Sequence, residues 1–122
     1  MGSENPLVLY YTESEEEKRI VEEFFINYET IDCTGLEEKK LDSIISGEIE
    51  KASHKKWSSN HYSFMIFHKM ESKEILEILK HIRQVSKSEW IFATTTENNL
   101  NWVLKDLLKE LIEEHRNMHN IR

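Results

Sequence analysis

Apolar side chains recur along this chain in two rhythms, short dense runs and longer stretches spaced three or four residues apart, and the two rhythms alternate. Leu7-Val8-Leu9-Tyr10-Tyr11 is a dense run that predicts a strand. It ends at Thr12-Glu13-Ser14, where Ser14 with Glu17 three residues on reads as a capping box. Ile20, Val21, Phe24 and Phe25 then keep helical spacing, while Glu15, Glu16, Glu17, Glu22 and Glu23 read as a solvated face whose first members favour the helix start. Residues 28 to 33 alternate weakly around a charge and predict an edge strand. Thr34 with Glu37 is a second capping-box candidate, followed by Leu41, Ile44 and Ile45 on a helix that stops at Gly47. Residues 48 to 62, EIEKASHKKWSSNHY, hold no period and read as a connection. The pattern then restarts. Phe64-Met65-Ile66-Phe67 is a third strand, Ser72 caps a helix carrying Ile75, Ile78, Leu79 and Ile82, and residues 90 to 95 are a fourth strand. A last helix, from about 101 to 118, carries Leu104, Leu107, Leu108, Leu111, Ile112 and His115 on one stripe.

The chain therefore reads as one domain, 1–122, made of two strand-helix-strand-helix units, 7–47 and 63–118, joined by the connection at 48–62. Strands apolar on both faces, alternating with amphipathic helices, predict an α/β fold: a small doubly wound four-stranded parallel sheet covered on both sides. Right-handed crossovers make 2-1-3-4 the simplest strand order. That order leaves the apolar fourth strand at an edge, which calls for a covering segment or a second copy.

Composition narrows the classes of function. With 122 residues, 39% of them hydrophobic, the chain has enough material for one core. The excess of 23 acidic over 16 basic side chains, net charge -7, repels phosphate backbones and argues against nucleic acid as a partner. Cys33 is the only cysteine, which rules out an intramolecular disulfide or a CxxC metal knuckle and fits a reducing cytoplasm. The run at 7 to 11 is too short for a signal core or a membrane span, and Pro6 stands where a myristoylation signal at Gly2 needs serine or threonine. A cytoplasmic protein without membrane attachment is expected.

The second unit has further particular features. Its third strand ends in Phe67, its helix runs through Ile75 to Ile82, and Ala93 and Thr96 lead into Asn99-Leu100-Asn101-Trp102. Leu107-Leu108-Lys109-Glu110-Leu111 and Glu113-Glu114-His115 follow. In these features, over roughly 64 to 115, the chain resembles a family of small bacterial proteins with a domain of unknown function (DUF3783-like); the first half shares only the strand-helix rhythm. Three positions depart from that family's pattern: Glu97 where proline is frequent, Phe92 where lysine is frequent, and Lys69 where glycine is common after the third strand. The resemblance implies a fold and brings no activity, cofactor or partner.

In an open parallel sheet, ligands bind at the carboxyl ends of the strands. That rim would hold Thr12, Glu13 and Ser14, then Cys33 and Thr34, then His68 and Lys69, then residues 95 to 99. The segment TTTENNLNW, 94 to 102, thus supplies the candidate binding residues Thr95, Thr96, Asn98, Asn99, Asn101 and Trp102. Threonine favours strands and asparagine favours caps, so a plain strand-to-helix junction accounts for most of the segment. The functional alternative has exposed amides of the last helix, with Thr96 and Asn99, gripping a small anion or a partner's backbone. Trp102 is expected to pin the loop by packing.

Other candidates are weaker. Thr12-Glu13 and His68-Lys69 stand where a phosphoacceptor site needs aspartates, and Gly2, Gly35 and Gly47 make no phosphate-binding loop. His115 and His119 are four apart, but HRNMH lacks the inner glutamate of HExxH, and the pair reads as structural or solvated. Neither a metal nor a cofactor is expected. His54-Lys55-Lys56-Trp57 reads as a solvated loop able to meet an acidic partner, and Cys33 as a small buried residue. The expected function is a non-catalytic binding or regulatory module using the loop between the fourth strand and the last helix. The alternatives are a homodimer through the fourth strand or the last helix, and a hydrolase-like enzyme with Glu13, His68 and Glu97 within mutual reach.

Overall fold

The computed structural model describes residues 6–47 and 62–120, the last three as backbone only, and among these described residues nine elements follow one another. They are β1 (Leu7–Tyr11), α1 (Glu15–Phe24), β2 (Thr30–Asp32), α2 (Leu41–Ile45), β3 (Ser63–His68), α3 (Ser72–Val85), β4 (Trp90–Thr94), a 3-10 turn (Asn99–Asn101) and α4 (Leu104–Asn120). Gly2, residues 48 to 61 with the His54 to Trp57 patch, and the side chain of His119 lie outside the described residues. Among the described residues no helix is long and apolar enough to cross a membrane.

The strands form one sheet in the order β2-β1-β3-β4, the order expected from the sequence, with β2 and β4 at its edges. The sheet is mixed rather than all parallel. β1 runs parallel to β2, and β3 to β4, but β1 and β3 are antiparallel, with Leu9 opposite Ile66. Apolar side chains on both faces report only that both faces are covered; helices cover β1 and β3 on both sides whatever their direction. Each parallel pair is closed by its own helix, α1 or α3. The two pairs are joined by a long connection, which can bring β3 back in either sense.

Alternation along the strands divides the core in two. Leu7, Leu9, Tyr11, Phe64, Ile66 and Ile91 point to one face, where Leu41, Ile44 and Ile45 of α2 and Leu104, Leu107, Leu108 and Ile112 of α4 cover them. Val8, Tyr10, Met65, Phe67 and Trp90 point to the other, under Val21 and Phe25 from the α1 side and Ile78 and Ile82 of α3. Cys33 is buried in the first cluster, as its size allows. The chains leading into α2 and α4 meet in a single antiparallel bridge, Lys40 with Val103. Reciprocal bonds close it: Leu41 N–H donates to Trp102 O (2.9 Å) and Leu104 N–H to Lys39 O (2.7 Å).

Three acidic or capping positions depart from their sequence reading. Ser14 does cap α1, accepting from Glu17 N–H at 3.2 Å, but the Glu17 carboxylate turns inward. It is 4% exposed and accepts from Ser86 Oγ (2.6 Å), Lys87 N–H (3.2 Å) and Trp90 Nε1 (3.2 Å). Glu17 is thus no solvated helix residue but a tie between α1 and the start of β4. Thr34 and Glu37 form no capping box, because α2 begins only at Leu41 with Lys40 as its N-cap. Glu37 is instead buried, facing the phenol of Tyr11, whose ionisation is pushed upward by burial first and by the Glu37 carboxylate second. Ser72 is the first residue of α3 rather than its cap, which is Glu71.

Candidate functional site

The antiparallel junction splits the single rim expected from sequence into two rims at opposite ends of the sheet. At one end the close of β1 meets the start of β3, and Thr12 Oγ1 and Ser63 Oγ share a hydrogen bond of 2.8 Å. At the other end, β3 and β4 finish together beside the start of β1, with His68 opposite Leu7. His68 and Glu97 therefore stand a strand length away from Glu13, so the three groups do not converge.

Residues 94 to 102 fold differently from a helix start. The chain leaves β4 into a 3-10 turn, and α4 begins only at Leu104. Thr96 and Asn99 cap the turn reciprocally: Asn99 N–H donates to Thr96 Oγ1 (3.0 Å), and Thr96 N–H donates to Asn99 Oδ1 (2.8 Å). Asn99 Nδ2 also donates to Thr94 O (3.0 Å), so this side chain ties the turn to the end of β4. The first amides of α4 are not presented to a ligand, since Leu104 and Lys105 N–H donate to the carbonyls of Lys39 and Glu37. An anion grip at the last helix is therefore replaced by a contact within the chain. Asn98 and Asn101 are exposed, and the Trp102 ring is 38% exposed, so its backbone rather than buried indole packing anchors this segment.

What the end of β3 and β4 does offer is an open groove of about 560 Å³ between the strand ends and the first turn of α3. Of the sequence candidates, Thr95 and Thr96 line it, while Asn98, Asn99, Asn101 and Trp102 do not. Phe67, Ile75 and Leu100 contribute apolar surface, and His68, Lys69 and the threonines contribute polar groups. His68 is 5% exposed, and its Nδ1 shares a hydrogen bond of 2.9 Å with Thr95 Oγ1, fixing the threonine hydroxyl at the strand end. Lys69 takes φ +57, the left-handed conformation that turns the chain from β3 toward α3. Sequence reasoning set His68 with Glu13 and Glu97 and did not link it to Thr95, which is 27 residues away and meets it through strand pairing.

Two other candidates are engaged elsewhere. His115 Nε2 lies 2.7 Å from Glu89 Oε2, and its ring meets Tyr62 edge-on at 5.5 Å, a structural pairing on α4. Phe92 stacks on Phe67 at 6.3 Å beneath the Arg83 guanidinium, so the aromatic residue found at this position packs α3 against β4.

Residues 63–118 match the family described as "Domain of unknown function (DUF3783)". This part of the chain, from β3 into α4, is a DUF3783-like domain, and every residue lining the groove falls inside it. No curated protein and no solved structure matches the chain.

Proposed function

We propose that the protein is a non-catalytic cytoplasmic binding module whose small ligand or partner segment lies in the groove between the ends of β3 and β4 and the first turn of α3. The observation that carries this reading is the groove's lining: an apolar floor of Phe67, Ile75 and Leu100 beside Thr95, Thr96, Lys69 and His68. Apolar area with a few convergent polar groups is the usual make-up of a ligand site, the first supplying affinity and the second orientation. The capped turn at Thr96 and Asn99 and the His68 to Thr95 bond hold the polar rim in place before anything binds, which lowers the ordering cost of binding. A buried thiol at Cys33 suits a reducing compartment.

Amide NMR spectra recorded against a library of fragment-sized amphiphiles test this reading. Binding is expected to move the amides of residues 67 to 72 and 94 to 100, and Leu100→Gln should weaken it about tenfold by removing apolar contact. Shifts confined to the other end of the sheet, around Thr12 and Ser63, would overturn it.

The His68 to Thr95 contact favours one other reading, a hydrolase-like enzyme with Thr95 as nucleophile and His68 as its base, for which 2.9 Å is a suitable reach. A covalent adduct on Thr95 from an activated acyl probe, lost in His68→Gln, would decide for that reading over the binding module.

A further inference from the structure

Among the described residues, three of the four exposed large apolar side chains, all but Trp102, share one layer of this protein with opposite charges. Ile26, Leu76 and Val85 are 77%, 65% and 52% exposed, and all three belong to the α1 and α3 layer. The outer face of α1 carries Glu15, Glu16, Glu22 and Glu23 against one exposed base, Arg19. The outer face of α3 and its C-terminal extension carries Lys73, Lys80, Arg83 and Lys87 against one exposed acid, Glu77. Lys73, Leu76, Lys80 and Arg83, spaced three, four and three residues apart, share one helix face, and with Leu79 and the single acid Glu77 they line a shallow groove of about 420 Å³. A basic apolar stripe of this kind is out of keeping with a chain of net charge -7.

We infer that this layer is the interface of a two-fold homodimer, in which α3 of one copy lies across α1 of the other. The topology supplies the geometry. Each helix runs back against its own strand, and β1 and β3 are antiparallel, so α1 and α3 are antiparallel neighbours. Tyr28 Oη donates to Glu74 Oε2 at 2.8 Å, which sets the end of α1 beside the start of α3. A two-fold axis along the helices therefore stacks α3 on the partner's α1 in antiparallel sense, with their macrodipoles opposed. Leu76 and Ile26 then fall at the same end and can meet as an apolar pair, flanked by Lys73 against Glu22 and Glu23. Lys80, Arg83 and Lys87 face the half of the partner's α1 that holds Glu15 and Glu16. The match is made twice by symmetry, and the footprint of two helices of 10 and 14 residues places the interface at the small end of the stable range. Among the described side chains of the last helix, Leu104, Leu107, Leu108 and Ile112 are spent in the core.

Sedimentation equilibrium of the full chain tests the dimer. The wild type is expected to dimerise, more weakly as salt rises. The double variant Lys80→Glu/Arg83→Glu should lose at least about tenfold in affinity, since like charges then face each other across the contact. The variant Glu15→Lys/Glu22→Lys should lose a similar factor. An equimolar mixture of the two variants should form a heterodimer, because each reversed face then meets its complement. Circular dichroism of each variant alone checks that the fold is kept. A wild type that stays monomeric at low salt, a dimer indifferent to both reversals, or a mixture that fails to pair while both variants remain folded would overturn the proposal. Binding of a monomeric wild type to vesicles of anionic lipid, abolished by Lys80→Glu/Arg83→Glu, would overturn it in favour of a membrane surface.

Discussion

Replacing Glu17 by alanine is expected to destabilise the protein by about 3 kcal/mol, because three donors lose a charged acceptor that is itself buried. Ser86 Oγ, Lys87 N–H and Trp90 Nε1 all point at this carboxylate, and Trp90 is itself only 8% exposed. Ser86 also accepts from Trp90 Nε1 at 2.6 Å and from Ser88 N–H at 3.1 Å, so the loss propagates through the loop between α3 and β4. The expected readout is a fall in Tm of about 10 °C, the slope being intermediate between those of smaller and larger domains. Glu17→Gln keeps an acceptor oxygen and should cost roughly half as much. A loss below about 1 kcal/mol for the alanine variant would mean that the carboxylate contributes no more than an exposed helix residue.

Lys69 is expected to show the reverse sign. At φ +57 a side chain crowds the backbone, at a cost of about 1 to 2 kcal/mol that glycine does not bear. Lys69→Gly should stabilise the fold by about 0.5 to 1 kcal/mol, the remainder being lost to the greater freedom of glycine in the unfolded chain. Lys69→Ile, branched at Cβ, should destabilise by about 2 kcal/mol, so chemical denaturation ought to separate the two variants clearly. Equal stabilities would show that the turn after β3 relaxes out of the left-handed region. This geometry also gives a physical reason for glycine at this position in the resembling family. The departure at Lys69 concerns the backbone first, and its ammonium is an addition to the groove.

Much of the fold was legible because periodicity reports burial directly. Val8, Tyr10, Met65 and Phe67 on one face and Leu7, Leu9, Phe64 and Ile66 on the other were readable as strands covered twice, and the strand order followed from chain crossing rules. Strand direction was not legible, since a doubly buried strand has the same pattern whether its neighbour runs with it or against it. That single ambiguity misplaced the rim: Thr12 and Glu13 left the company of His68, and Thr95 found it through pairing 27 residues apart. Glu17 and Glu37 were misread for a related reason. A glutamate three residues after serine or threonine fits a cap equally well whether its carboxylate returns to the turn or is taken by a distant donor. Within the candidate segment, Thr95 and Thr96 line the groove, whereas the Asn99 side chain serves the turn itself.

The antiparallel meeting of β1 and β3 underlies the separation of Glu13 from His68 and the antiparallel pairing of α1 with α3. Val8 N–H donates to Glu29 O and Cys33 N–H to Tyr10 O, so Val8 and Tyr10 turn their backbone groups to β2 and form non-hydrogen-bonded pairs with Phe67 and Met65. In antiparallel sheets such pairs bring their Cα atoms to about 4.5 Å, the closest approach between strands. Proton NMR of the folded chain should therefore show strong α-proton to α-proton contacts between Val8 and Phe67 and between Tyr10 and Met65. Absence of both contacts, with β1 and β3 still neighbours by their amide protons, would mean parallel pairing and would contradict the account at its centre.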